Sequence, residues 1–200
     1  MNTDLTTGNT SRLLWAFSIP MLISVAFQQF YNIADSVIAG RFIGEQVLAA
    51  VGASYPITMI FMAVAIGSSI GCTVVVSQLF GSKHYAMLKT AVGTICCAGV
   101  VVSLTLSLFG IWQDDNLLLL LQTPENIFSD ASLYLHIYIL GFLFLFLYNV
   151  GTGIFTALGD SRTPLYFLIG SSLGNIALDL LFVIAFDMGV AGVAWATFLA

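Results

Sequence analysis

The chain has 200 residues, of which 59% are hydrophobic and 8% charged, against about 25% charged in an ordinary soluble domain. A mass of 21.5 kDa with a mean hydropathy of +1.01 excludes a water-soluble globule and a disordered chain. Five Lys plus Arg against ten Asp plus Glu, a net charge of −5, exclude the basic footprint of a nucleic-acid partner.

A bilayer-spanning helix takes about 20 mostly apolar residues, whereas a transmembrane strand alternates over about ten. The long unbroken apolar runs therefore predict an all-α, polytopic membrane helix bundle. In chain order the predicted spans are residues 13–40, 48–80, 88–112, 131–158, 164–186 and 189–200, the sixth incomplete. Helix 1 is expected to be retained, because Gln28, Gln29, Asn32 and Asp35 stand where a signal-peptide cleavage site would need small residues. The breaks between spans are Gly40-Arg41 with Glu45, Gly81-Ser82-Lys83-His84, the acidic stretch from Asp114 to Asp130 with Pro124, and Gly159-Asp160-Ser161-Arg162-Thr163-Pro164. In the last, Gly159 suits the left-handed residue after a helix, and Thr163 before Pro164 suits an N-cap with proline at the first helical position.

Arg12, Lys83, Lys89 and Arg162 fall on one side of these spans and only Arg41 on the other, which places the amino terminus in the cytoplasm by the positive-inside rule. Span 6 stops about twelve residues in, too few to cross the core, so a fragment is expected. Cys72, Cys96 and Cys97 lie within apolar helices, lack zinc or redox spacing, and are read as packing residues.

Polar residues inside the spans carry the functional signal. An aspartate at the centre of a membrane helix costs about 2.5–3.5 kcal/mol, and such residues usually line a pathway. Gln28, Asn32 and Asp35, with Tyr31 beside them, share one face of helix 1, and Ser171, Asn175 and Asp179 share one face of helix 5. At a rise of about 1.5 Å per residue, Asp35 and Asp179 sit roughly 9 to 12 Å below the outer boundary, and Tyr134, Tyr138 and Thr197 roughly 6 to 15 Å deep. The polar groups thus converge on one cavity in the outer half of the membrane. The plainer alternative is that they only hold the bundle together, at about 0.6 kcal/mol per pair.

Gly67-Ser68-Ser69-Ile70-Gly71 and Gly170-Ser171-Ser172-Leu173-Gly174 resemble a hydrolase nucleophile elbow, but they lie in helical runs where glycines four apart allow close packing, so no enzyme is expected. His84 and His136 have no second ligand at metal spacing. Pro20 and Pro56 remove a backbone donor within spans 1 and 2 and permit a kink.

With these residues in order, the chain resembles the amino-terminal lobe of a prokaryotic multidrug and toxic compound extrusion (MATE) transporter. The carriers are Ile19-Pro20 through Gln28-Gln29-Phe30-Tyr31-Asn32-Ile33-Ala34-Asp35 to Gly40-Arg41, then Leu48-Ala49-Ala50-Val51-Gly52, then Ala157-Leu158-Gly159-Asp160-Ser161-Arg162-Thr163-Pro164, followed by Asn175 and Asp179. The resemblance implies one six-helix lobe of a twelve-helix fold with a central cavity. It also implies a cation site at Asp35, Asn175, Asp179, Tyr134 and Thr197, with Tyr138 one turn from Tyr134, and a bending proline at Pro20. Gln28 and Asn32 belong to the same expected cavity, and sodium, if it is the ion, would sit at Asp35, Asn175, Asp179 and Thr197.

The implied function is efflux of amphipathic, often cationic compounds in exchange for protons or sodium, without a cofactor. A carboxylate in hydrocarbon takes up a proton readily, while the neighbouring oxygens equally suit sodium. The expected partners are a drug-like small molecule, the lipid bilayer and a second lobe from the same or another chain. The expected location is the bacterial cytoplasmic (inner) membrane. The alternatives are a lipid-linked oligosaccharide flippase of related fold, which would want a cationic groove, and an inactive membrane remnant.

Overall fold

A computed structural model of the chain describes residues 10–38, 40, 41 and 44–200, without the side chain of Asp35. It contains α1 (Thr10–Ile38), α2 (Glu45–Gly81), α3 (Tyr85–Leu120), α4 (Glu125–Ala157), α5 (Arg162–Leu180) continued by a π turn (Leu181–Ala185), and α6 (Gly189–Leu199). Five of these helical segments are long and apolar enough to cross a membrane, and α6 is a shorter apolar helix. No strand occurs among the described residues. Pro20 and Pro56 lie inside the continuous α1 and α2, and both G-x-S-x-G stretches fall within α2 and α5.

Two helices, α3 and α4, run beyond the predicted spans by more than four residues. α3 passes through Gln113-Asp114-Asp115 to Leu120, because both aspartates find partners on α4 while Gln113 accepts a bond from Asn116 on its own helix. The Asp114 carboxylate is buried, lies 2.7 Å from Nδ1 of His136 and also accepts the Asp115 N–H at 2.8 Å. Asp115 accepts the Ser132 hydroxyl at 2.6 Å. α4 correspondingly starts early, at Glu125, directly after Pro124.

α2, α3 and α4 each end by the same device. Lys83 (φ 59°), Gln122 (φ 55°) and Gly159 (φ 83°) take the left-handed conformation, and the next residue's N–H returns to a carbonyl five back, as in His84 to Leu79, Thr123 to Leu118 and Asp160 to Phe155. Only one of the three is glycine, so the first two stops carry no glycine signal in the sequence. At the start of α5 the cap is Asp160 rather than Thr163. Its Oδ1 accepts the N–H groups of Arg162 and Thr163, both at 3.1 Å, and its Oδ2 accepts the Thr163 hydroxyl at 2.7 Å. Pro164 is then the third helical residue, where its missing donor costs nothing because first-turn N–H groups have no helical acceptor.

The most extensive helix interface joins α2 to α4. Ala50, Ile57, Phe61 and Ala65 on α2 pack against Ala131, Leu135, Ile139, Phe142 and Phe146 on α4, with the Phe61 and Phe142 rings edge to face at 4.9 Å. In a bilayer there is no hydrophobic drive between helices, so close approach and hydrogen bonds must hold them. Both are present. Ser54 donates to the Ala131 carbonyl at 3.1 Å, Ser69 to that of Asn149 at 2.7 Å and Thr73 to that of Gly153 at 3.2 Å. A Cβ on Gly153 would lie 2.6 Å from the Ser69 hydroxyl and 2.8 Å from its backbone oxygen. α3 packs on this pair, α6 on α4, and α1 on α5.

Gly153→Ala should therefore lower stability by about 1–3 kcal/mol through overpacking, whereas Gly151→Ala, with open space around its Cβ position, should be neutral or slightly stabilising; thermal unfolding in detergent reads both. Asp160 adds a pH-dependent contribution. Partial burial alone would raise its pKa, but the hydrogen bonds from Thr163 and Arg162 outweigh this and hold it below the ordinary carboxylate value. A lowered folded-state pKa stabilises above the unfolded value and is lost as pH falls through and below the usual carboxylate range. Asp160→Ala should cost about 1 kcal/mol at neutral pH, and the gap from wild type should close below about pH 4.

Candidate functional site

α1, α4, α5 and α6 surround a cavity of about 260 Å³. Gln28 and Tyr31 reach it from α1, Tyr134, Tyr138 and Tyr148 from α4, Ser171, Ser172 and Asn175 from α5, and Thr197 and Phe198 from α6. The local causes are helical. Residues 171, 172 and 175 fall within one turn of α5, and 134, 138, 141, 145 and 148 recur at three- and four-residue steps along α4. Gly141 makes room for the α6 ring, since a Cβ there would stand 2.9 Å from Phe198. Phe198 in turn packs edge to face on Trp195 at 5.2 Å and on Phe144 at 6.0 Å. Tyr134 and Tyr138 stack at 6.4 Å.

Polar atoms of this wall fall into two kinds. Those of Ser171 and Thr197 are satisfied within their helices, on the carbonyls of Leu168 (3.2 Å) and Val193 (3.0 Å). Asn175 is different: it is 2% exposed, and neither its amide nitrogen nor its amide oxygen has a hydrogen-bond partner among the described residues. Leaving one such group unmade costs about 1–3 kcal/mol, so the residue is held where it loosens the fold. Asp179, four residues on along α5, is fully buried and lies beyond the cavity lining. Directly after it the helix widens into the π turn Leu181–Ala185, a distortion that occurs frequently at functional sites. No run of proline or glycine announces that turn in the sequence.

Of the expected site residues, Gln28, Tyr134, Tyr138, Asn175 and Thr197 line this one cavity. Asp35 lies on α1, but its side chain is outside the described residues. Asn32 is exposed and donates to Gln29 on its own helix at 3.3 Å, away from the cavity lining. Pro20 is buried in α1, and its carbonyl accepts the Ser24 hydroxyl at 2.9 Å. Sequence reasoning missed Tyr148, Ser172 and Phe198. Tyr148 continues the α4 stripe, Ser172 adjoins Ser171 on α5 and Phe198 follows Thr197 on α6, but aromatic and small residues are too common in membrane helices to stand out. Among the described residues no group of three His, Cys, Asp or Glu side chains comes together as a metal site. An ion here would have to rest on amide, hydroxyl and carboxylate oxygens.

Membrane-length helices around a cavity lined by tyrosines, serines and an asparagine define a polytopic membrane helix bundle. The MatE family profile matches residues 20–181, and the chain belongs to the MatE family. It is 32% identical over 196 residues to the probable multidrug resistance protein YpnP of Bacillus subtilis, covering 98% of this chain and 44% of that protein. It is 24% identical over 181 residues to the multidrug export protein MepA of Staphylococcus aureus, covering 90% of this chain and 40% of that one. The fold superposes on a MATE crystal structure in complex with MaD3S with a TM-score of 0.92 and 26% identity, covering all of this chain and 45% of the other. The chain thus spans less than half the length of these relatives.

An unpartnered buried amide gives a sharp test. Asn175→Leu removes its unmet hydrogen-bonding groups at similar size, so it should raise thermal stability by about 1–3 kcal/mol while abolishing any ion-dependent shift in the melting temperature. A loss of stability would mean that Asn175 holds the bundle together.

Proposed function

We propose that this chain forms the amino-terminal lobe of a secondary active antiporter that exports amphipathic, often cationic drugs in exchange for protons or sodium. The observation that carries the reading is Asn175, buried with both amide atoms unmet on the wall of an aromatic cavity and one turn from the buried carboxylate of Asp179. An unmet amide beside a carboxylate supports a cation as the missing partner. A proton on Asp179 or a sodium ion shared by Asp179, Asn175, Thr197 and Asp35 fits the donor set, and Tyr134 and Tyr138 offer rings to a cationic drug. One charge crossing about 100 mV releases about 2.3 kcal/mol, enough for a roughly fortyfold gradient of a neutral drug.

The lining of the cavity contains no Lys or Arg among the described residues, which favours drug export over a flippase that must grip a phosphate. The names of the relatives support the same reading. The basic residues of the 2–3 and 4–5 connections favour an amino terminus in the cytoplasm of a bacterium with the lobe in its inner membrane. A second lobe, from the same longer chain or another, would complete the pathway.

Ethidium efflux from energised cells tests this directly. Asp179→Asn keeps size and polarity but removes titration, and at matched membrane levels it should lower efflux at least tenfold. Equal efflux by mutant and wild type would make Asp179 structural and overturn the assignment. Varying sodium at fixed pH then identifies the coupling ion.

A further inference from the structure

Sharing no lining residue with the cavity described above, an open groove of about 830 Å³ lies between α2 and α3, running from Ser68 to Leu79 on α2 and from Ala86 to Ala98 on α3. Small residues such as Gly71, Ala91 and Ala98 line the seam and leave the space between the two arms of the hairpin unfilled by side chains. Its walls are apolar apart from hydroxyls such as Thr94. Eleven to twelve residue steps at a rise of about 1.5 Å each give a length of about 17 Å, close to half of the roughly 30 Å hydrocarbon core. The groove therefore has the length of one leaflet's acyl chain.

At one end the lining reaches Leu79 on α2 and Ala86 on α3, which flank the turn that joins the two helices, and that turn carries basic side chains. Lys83 and His84 lie in it, both exposed. His84 is held by the Ser82 hydroxyl at 2.9 Å from Nδ1. α3 begins directly after, with no side-chain cap on its first-turn N–H groups and no acidic residue in that turn, so the positive end of its dipole faces the same place. The chain has only two lysines, and neither is part of the groove lining; Lys83 lies in the connecting turn, whereas Lys89 lies within α3, past its first turn. An apolar slot one leaflet long with a cationic, hydrogen-bond-donating end matches a molecule with an acyl chain and an anionic head.

We propose that the α2–α3 groove is a binding site for an anionic phospholipid, its acyl chain along the seam and its phosphate at Lys83, His84 and the α3 amino terminus. The site lies in the cytoplasmic leaflet, whose anionic lipids give it a negative surface potential. This placement rests on the orientation proposed above, which labelling of a Ser82→Cys thiol from either side of the membrane tests separately.

The test is native mass spectrometry of the full-length protein released from nanodiscs of equal phosphatidylglycerol and phosphatidylcholine. Wild type should retain phosphatidylglycerol in preference. Lys83→Asn combined with His84→Ala should lower the retained phosphatidylglycerol about fivefold, the effect of about one cation near an anionic surface. Asparagine tolerates the left-handed backbone at position 83, so the fold is kept, and the melting temperature of each variant verifies it. Lys89→Gln should retain as wild type does. Ala91→Phe or, as a second filling change, Thr94→Leu should lower retention of both lipids. Unchanged retention in the Lys83 and His84 variant, an equal loss in Lys89→Gln, or filling variants that leave the lipid bound and instead disrupt assembly would each overturn the proposal; the last would mean that protein covers the groove.

Discussion

Within hydrocarbon a polar atom can bond only to protein, and this constraint organises the molecule. Hydroxyls inside the helices turn back to carbonyls one turn earlier, as Ser24 does to Pro20 and Ser103 to Gly99. Where two helices must adhere, the hydroxyls cross instead, from Ser54, Ser69 and Thr73 on α2 to the backbone of α4. The acceptors are carbonyls with a lone pair to spare, so the helix ladder is not broken. Against this background Asn175 is the exception with the greatest cost. The hydroxyls of Ser107 and Thr123 also lack a partner, but each leaves one group unmet where Asn175 leaves a whole amide.

The α2–α4 pair also divides the lobe into two sides of different character. On one side α1, α5 and α6 enclose the tyrosine-rich cavity together with α4; on the other α2 and α3 line an apolar slot. The cavity draws no side chain from α2 or α3, and the slot draws none from α1, α4, α5 or α6. Small residues set both distances. Gly153 brings backbone to backbone, Gly110 admits Phe61 from α2 and Ile139 from α4, and Gly141 admits Phe198.

The helical membrane fold was legible because apolar length is a direct readout of bilayer thickness. The convergence of Gln28, Tyr134, Tyr138, Asn175 and Thr197 was legible because intramembrane polar residues are rare and the rise per residue is fixed. Helix ends were less so. The acidic run after Trp112 reads as a loop, yet it is helical because Asp114 and Asp115 find His136 and Ser132 on a neighbour more than fifteen residues away. Lys83 and Gln122 occupy positions where glycine is the usual signal, and Asp160 caps a helix from outside the Thr163-Pro164 pattern. Asn32 shares the Gln28 face by spacing but bonds along α1 instead, and the π turn after Asp179 leaves no mark in the residue types.

The three hydroxyl bonds between α2 and α4 join residues separated by 77, 80 and 80 positions. A nearly constant offset means that the two helices run in the same direction and in fixed register. A slip of one turn, about 5.4 Å, would part all three bonds and drive the Gly153 seam against larger neighbours. α2 thus acts as a ruler for α4. The depth at which Tyr134 and Tyr138 stand below the membrane surface is set by a helix that contributes nothing to the cavity they line.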